Sequence, residues 1–140
     1  MKKISVFACA AIMCCVASLA VADVWRTQDL QETVREKVRG GTGKMLVKTA
    51  LSPKKAEERH AVKEISFRTL EPGNSVGMHK HDTDEDVYLI VSGDATFTDD
   101  DGTEYVLRKG DMTICRDGKS HAIANKGQEP LEYFVVLGKK

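Results

Sequence analysis

Two histidines one residue apart form the part of this sequence best suited to chemistry. His79 and His81 open the stretch HKHDTDEDV, in which four acidic side chains occupy the next five positions. On a β-strand, residues two apart point to the same face, so both imidazoles would be presented side by side. Two neutral imidazoles make half of a metal site. Taken alone, the pair fits either a metal clamp or a charged surface turn.

Two blocks of the sequence repeat fixed spacings of glycine, histidine and acidic residues. The first block, GNSVGMHKHDTDEDVYLIVSG, has five residues between its opening glycine and His79, and four between His81 and Asp86. The second block, GDMTICRDGKSHAIAN, has two residues between its last glycine and His121. Spacing of this kind is much more specific than a lone His-x-His pair.

The two blocks resemble the paired motifs of the cupin superfamily, and the resemblance extends from Gly73 to Asn125. In that family the first block supplies two histidines and a glutamate, and the second supplies a third histidine. The resemblance implies one bound divalent transition metal, and the ligand types do not choose among Mn, Fe, Ni, Cu, Co and Zn. It also implies an all-β fold, a small jelly-roll barrel, with metal ligands at His79, His81, Asp86 and His121.

One position departs from the family pattern at the metal site, because Asp86 stands where cupins have glutamate. The register of the following strand gives Asp86 the ligand direction and turns Glu85 to the opposite face. Aspartate is shorter by one methylene, a reach of roughly 1.5 Å. Direct ligation by Asp86, ligation through water, and replacement by Glu85 across a small bulge are therefore all open. Asp82 and Asp84 are interpreted as a charged rim.

A second departure places Arg116 where the family motif has proline. Arg116 is either a solvated loop arginine or a group that holds an anionic substrate through a bidentate contact. Its neighbour Cys115 is the only cysteine beyond residue 22. Cys115 is interpreted as a small buried hydrophobic side chain, and the alternatives are a reactive thiol or an intermolecular disulfide.

The elements that must position these residues are mostly short strands. From Ala61 to Leu137, short apolar runs alternate with turn residues, which is typical of an antiparallel sandwich or barrel. The segment TFTDDDGTEYVL predicts a hairpin with Asp101 and Gly102 at its apex. Upstream, KMLVKTAL predicts a first strand, and SPKKAEER predicts a polar turn or short helical piece.

The segment before this first strand has a helical spacing of apolar residues. Leu30, Val34 and Val38 fall four apart, and Gly40 and Gly41 provide a stop signal. The pattern predicts a short N-terminal helix packed on the outside of the barrel.

The N-terminus has the layout of a secretory signal peptide. Lys2 and Lys3 precede an uncharged apolar run that ends in Ala20, Val21 and Ala22. Cleavage after Ala22 is predicted, and retention of the run as a membrane anchor is the alternative. The predicted organisation is a signal peptide over residues 1–22, an N-terminal helix and strand extension over 23–60, and the cupin barrel over 61–140. The mature protein would be periplasmic or secreted, with no stable membrane span.

The predicted mature chain carries nearly balanced charge. Removal of residues 1–22 takes away two of the 21 basic side chains and none of the 21 acidic ones. With no basic cluster, nothing in the sequence points to a nucleic-acid partner. The family resemblance implies a homodimer in common with many cupins.

Two classes of function fit the resemblance. One is a mononuclear metalloenzyme that acts on a small polar or carboxylated molecule, as an oxygenase, decarboxylase, lyase or isomerase. The other is a non-catalytic protein that binds a sugar, an organic acid or the metal itself. The complete set of predicted metal ligands favours the enzyme. Against it, no acid or base beside those ligands stands out, and fold alone does not decide function.

Overall fold

The computed structural model describes residues 22–140, so the predicted signal segment up to Val21 lies outside the described residues. Ten strands account for most of the described chain, as the strand-rich sequence pattern predicts. None of the helices in residues 22–140 is long and apolar enough to cross a membrane. The strands are β1 (Gln31–Glu36), β2 (Lys44–Leu51), β3 (Val62–Leu70), β4 (Ser75–Lys80), β5 (Asp84–Ser92), β6 (Ala95–Thr98), β7 (Glu104–Leu107), β8 (Met112–Cys115), β9 (Ser120–Ala124) and β10 (Leu131–Lys139).

The strands form two antiparallel sheets that enclose one core. The larger sheet has the order β1-β2-β3-β10-β5-β8, and the smaller has the order β4-β9-β6-β7. Strands distant in sequence are therefore neighbours in space, as in a jelly-roll barrel. The predicted hairpin is confirmed, because β6 pairs with β7 and Gly102 adopts a positive φ of 84° at its tip. The segment SPKKAEER forms turns between β2 and β3.

Alternation along the strands decides which side chains enter the barrel. On β5 the buried positions are Asp86, Tyr88 and Ile90, separated by less buried residues. This period of two is what a half-buried strand requires. The core is completed by apolar residues from both sheets, namely Met45, Val47, Leu70, Val76, Ala95, Phe97, Ile123, Leu131, Tyr133 and Val135.

The predicted N-terminal helix is wrong. The segment contains a 3₁₀ turn at Thr27–Asp29, the strand β1 and a second 3₁₀ turn at Val38–Gly40. A spacing of four is an even number, so it fits the period of a strand as well as that of a helix. As a strand, β1 forms its backbone hydrogen bonds with β2, and Val34 lies opposite Leu46. Val34 itself is 59% exposed, so it belongs to no buried helical stripe.

The turn after β1 lies directly against β4. A Cβ added at Gly77 would collide with the carbonyl oxygen of Arg39 and would lie 2.9 Å from the amide nitrogen of Gly41. Hydrogen bonds between Thr42 and Ser75 fix the same approach: the Ser75 amide donates to the Thr42 carbonyl at 3.0 Å, and the Thr42 amide donates to Ser75 Oγ at 2.9 Å. The N-terminal segment and the barrel are thus joined through backbone contact that only glycine permits at residue 77.

Replacement of Gly77 by alanine tests this contact. We expect Gly77→Ala to lower the free energy of unfolding by about 1–3 kcal/mol, because the methyl group overpacks a backbone contact. Urea denaturation of the purified protein measures the change. In the control Gly138→Ala, the new Cβ meets its nearest neighbours at 3.9 Å, and the effect should stay within about 0.5 kcal/mol. Equal effects of the two substitutions would contradict the proposed contact.

Candidate metal site

The four predicted ligand residues come together inside the barrel. One potential ligand atom from each of His79, His81, Asp86 and His121 lies within 4.8 Å of the others. His79 and His121 are direct partners in the β4–β9 pair. Asp86 enters from β5 in the opposite sheet. The site therefore needs both sheets.

A β-bulge in β4 turns the histidines inward. Between the paired positions Val76 and His79, β4 has one more residue than the facing stretch of β9. Such a bulge reverses the alternation of the strand, so Val76 and His79 both face the interior although they are three apart. His81 follows the end of β4, and its backbone amide donates to the carbonyl of Lys119 at 2.9 Å.

Hydrogen bonds orient the first two imidazoles. Nδ1 of His79 lies 2.9 Å from the carbonyl oxygen of Gly77, and Nδ1 of His81 lies 2.8 Å from the carboxylate of Asp84. Both partners are acceptors, so each Nδ1 carries the proton and each Nε2 offers a lone pair. Hydrogen bonds of this kind are typical of metal-binding histidines. Burial lowers the pKa of His79 to about 4, which keeps its ring neutral at neutral pH.

Aromatic packing holds His121, which is fully buried. Its ring stacks on Tyr88 with the centroids 4.9 Å apart, and Phe97 meets it edge-on at 5.5 Å. Its Nε2 lies 3.2 Å from Nε2 of His81. Within residues 22–140, its buried Nδ1 has no hydrogen-bond partner. The polar contacts of this ring are therefore confined to Nε2, which also lies 3.4 Å from the Tyr88 hydroxyl, and packing holds the rest of it.

The donor set fits a divalent cation. Asp86 is 2% exposed, and its Oδ2 lies 3.6 Å from Nε2 of His121 and 3.8 Å from Nε2 of His81. Oδ1 of Asp86 is buried with no hydrogen-bond partner in the described part of the chain. Nitrogen lone pairs and a buried carboxylate repel one another unless positive charge lies between them. Three imidazoles and one carboxylate could hold a transition metal.

The structure separates Asp86 from its alternative, Glu85. Glu85 points away from the cluster and accepts a hydrogen bond from Nη1 of Arg116 at 3.0 Å. The Arg116 side chain is 64% exposed and does not line the cavity beside the histidines. The geometry therefore favours the solvated interpretation of Arg116 over its use as an anion-binding group. Cys115 is buried, and burial raises the pKa of its thiol to about 11, which favours a packing role.

The interpretation of Asp84 as part of a charged rim is wrong. Its Oδ1 contacts His81 Nδ1, and its Oδ2 accepts from Nζ of Lys63 at 3.3 Å. Asp84 therefore orients a ring of the cluster. Asp82 matches the rim interpretation, since it is exposed and pairs with Lys80 at 2.7 Å. The one sequence signal that could have identified Asp84 is its position three residues after His81.

A cavity of about 200 Å³ opens beside His79, His81 and Asp86. Its wall contains five charged side chains, of which only Asp86 belongs to a sequence motif. Arg35 lies on β1 and Arg39 in the following turn, and both are exposed at the cavity. The other two charged residues are Glu64 and Arg68, on the inner face of β3. No motif marks these residues, because chain segments distant in sequence bring them to the cavity.

Substitution of Asp84 tests its role in orienting His81. We expect Asp84→Asn to weaken binding of a divalent metal about 10–100-fold, because the amide is a poorer acceptor for the His81 ring proton. Competition between the metal-stripped protein and a chelator, titrated with Zn²⁺, measures the affinity. The control is Asp82→Asn, which removes the same charge two residues away and should leave the affinity within about twofold. Equal losses in both variants would show that only local charge matters.

Comparison with known proteins agrees with this geometry. A family profile described as the cupin domain matches residues 66–137. An "Oxalate-binding protein" of Thermotoga maritima is 31% identical over 114 residues, which cover 81% of this chain and 92% of that protein. A "Gentisate 1,2-dioxygenase" of a Ralstonia species is 30% identical over 73 residues, but these span 52% of this chain and only 20% of that enzyme.

Solved structures show the same architecture. The crystal structure of a predicted oxalate decarboxylase from Thermotoga maritima superimposes with a TM-score of 0.76 at 29% identity. The superposition covers 84% of this chain and all of that one. The fold, the two histidine blocks and the profile match lead to one conclusion: this chain belongs to the cupin family.

Proposed function

We propose that this cupin binds a small dicarboxylate, such as oxalate, at a divalent transition metal held by His79, His81, Asp86 and His121. The observation that carries the proposal is the charge of the cavity. Three cationic side chains face two anionic ones around the cluster, and a divalent cation would add further positive charge. The cationic residues are Arg35, Arg39 and Arg68, and the anionic ones are Glu64 and Asp86.

The arginines suit a carboxylate ligand in particular. Guanidinium groups donate two parallel hydrogen bonds to a carboxylate. Arg35 and Arg39 are exposed at the cavity, where they would attract an anion and contact its outer end. A divalent metal, when bound, would act as a Lewis acid toward the ligand oxygens. The residues of the chain would then supply orientation and charge.

The size of the cavity supports a ligand of few atoms. A volume of about 200 Å³ lies below the roughly 300–1,000 Å³ typical of pockets for drug-sized molecules. Oxalate is also the ligand named for the Thermotoga maritima relative, which this chain covers almost completely. The similarity to that protein and the arginine-lined cavity support the same ligand class independently.

A metalloenzyme that turns over the same ligand is the second candidate. The predicted reaction classes are oxygenation, decarboxylation, lyase chemistry and isomerisation, and a carboxylate ligand makes decarboxylation the relevant one. The observation in its favour is Glu64, a carboxylate in the cavity wall that is not part of the metal cluster. Consumption of oxalate by the metal-loaded protein would support this candidate over simple binding.

Export and dimer formation are part of the proposal. The signal-like sequence of residues 1–22 supports a periplasmic or secreted protein. On the outer face of the larger sheet, Phe67 is 43% exposed and forms a ring pair with Phe134 at 5.1 Å. Phe134 is half-buried beneath it, and the exposed ring of Phe67 supports a homodimer contact on that face.

Calorimetric titration with oxalate tests the proposed ligand. We expect protein loaded with Co²⁺ to bind oxalate and the metal-free protein to show no binding. Arg39→Gln should weaken binding about tenfold, the usual effect of losing a hydrogen bond between charged groups. The absorption of bound Co²⁺ would show that metal occupancy is unchanged in the variant.

Arg116→Gln is the matched control for Arg39→Gln. It removes an exposed arginine that pairs with Glu85 outside the cavity, so oxalate affinity should stay within about twofold. Absence of oxalate binding to the fully loaded wild-type protein would overturn the proposed ligand class. A larger loss in Arg116→Gln than in Arg39→Gln would show that the anion contacts a different arginine.

A further inference from the structure

A buried ion pair forms part of the cavity wall. Glu64 and Arg68 lie on the inner face of β3, and they are 5% and 8% exposed. Oε1 of Glu64 accepts a hydrogen bond from Nη2 of Arg68 at 2.9 Å and another from Oγ of Ser66 at 2.7 Å. Both contacts end on the same oxygen. The other oxygen, Oε2, is therefore the atom that Glu64 has left to offer to the cavity.

Burial of the Glu64–Arg68 ion pair in the barrel interior costs free energy. Transfer of two charges out of water carries a desolvation penalty that their attraction repays only in part, and apolar side chains often serve as well or better. Nε of Arg68 is buried with no hydrogen-bond partner in residues 22–140. Burial by itself lowers the pKa of Arg68, but neighbouring groups that include Glu64 and Asp86 raise it, so the side chain is cationic. A role in ligand recognition accounts for the cost.

The charges around Glu64 come from several elements. Arg35 and Arg39 of the N-terminal segment, His79 and His81 of the metal cluster, and Asp86 of β5 line the same cavity. On its own strand Glu64 faces Arg68, and Tyr133 of β10 lies near both. Asp86 would be occupied by the metal. Glu64 is therefore the carboxylate in this wall that is free to meet a second carboxylate.

We propose that Glu64 makes binding of the dicarboxylate dependent on one proton, an inference that rests on the proposed function. One end of the ligand would occupy the metal, and the other end would meet Oε2 of Glu64. At hydrogen-bond distance the oxygens of two carboxylates repel each other, and one proton shared between them removes this repulsion. The proton arrives with the ligand monoanion, or the buffer releases it when the dianion binds.

Arg68 and Ser66 have a positioning role in this arrangement. Their hydrogen bonds to Oε1 hold the carboxylate so that Oε2 alone meets the ligand. The site would select small acids that present a hydrogen-bond donor at the end remote from the metal. A monocarboxylate with a hydroxyl group, such as glycolate, carries its own donor and would need no additional proton.

The pH dependence of oxalate binding to Co²⁺-loaded protein tests the inference. Calorimetry between about pH 6 and about pH 8 should show affinity falling about tenfold per pH unit in the wild-type protein, the slope for uptake of one proton. The enthalpy should change with the ionisation enthalpy of the buffer in proportion to that one proton. Glycolate should show neither effect.

Two variants identify the group responsible. In Glu64→Gln the affinity for oxalate should become nearly independent of pH, because the neutral amide no longer repels the ligand dianion. Glu104→Gln is the matched control, since Glu104 is also an ion-paired strand glutamate but lies exposed beside Lys126. It should retain the wild-type slope. Hydroxide competing for the metal would instead give the same slope in all three proteins, which would overturn the inference.

The experiment separates this inference from the proposed function. Oxalate binding without proton uptake in the wild-type protein overturns the role of Glu64 and leaves the ligand class intact. No oxalate binding at full metal occupancy overturns both. The contrast between oxalate and glycolate in the wild-type protein needs no variant, because hydroxide leaving the metal would give both ligands the same proton uptake. The test therefore holds even where Glu64→Gln fails to fold.

Discussion

The convergence of three imidazoles and one carboxylate in a buried space is the constraint on which the rest of this structure depends. Such a cluster is unfavourable without positive charge at its centre. Each ring is therefore held in place by something outside the cluster: Gly77 for His79, Asp84 for His81, and the aromatic rings of Tyr88 and Phe97 for His121. The bulge in β4 and the pairing of both sheets provide the scaffold for these contacts.

The N-terminal segment completes the cavity at a cost in backbone energy. Lys37 and Arg39 adopt positive φ angles of 46° and 54°, a conformation that costs residues other than glycine roughly 1–2 kcal/mol each. Contact with Gly77 and packing of Val38 on the core hold the segment in this form. Strain of this kind is commonly found where a fold must place a side chain. In this protein the segment brings Arg35 and Arg39 to the cavity.

Two kinds of sequence pattern were enough to predict the residues of the metal cluster. The alternation of side chains along a strand predicts that Asp86 faces the interior and Glu85 the outside. The spacing of the two histidine blocks predicts a cluster formed by strands forty residues apart. The prediction of an N-terminal helix failed because apolar residues four apart fit the period of a strand as well as that of a helix. Pairing with β2, which the sequence does not show, decides in favour of the strand. Arg35, Glu64 and Arg68 carry no motif, since strand pairing alone brings them to one cavity. Asp84 was missed because its spacing of three from His81 is the only signal in the sequence, and that spacing fits a rim carboxylate as well as one that orients a ring.

The metal content of the protein is the most direct test of whether the three histidines and Asp86 hold a cation. Elemental analysis of protein purified without added metal salts should find a divalent transition metal close to one ion per chain. The ion should be lost from His121→Ala, which removes the most buried imidazole of the cluster. A purified wild-type protein with no transition metal at a substantial fraction of one per chain, and with no uptake on titration, would contradict the account.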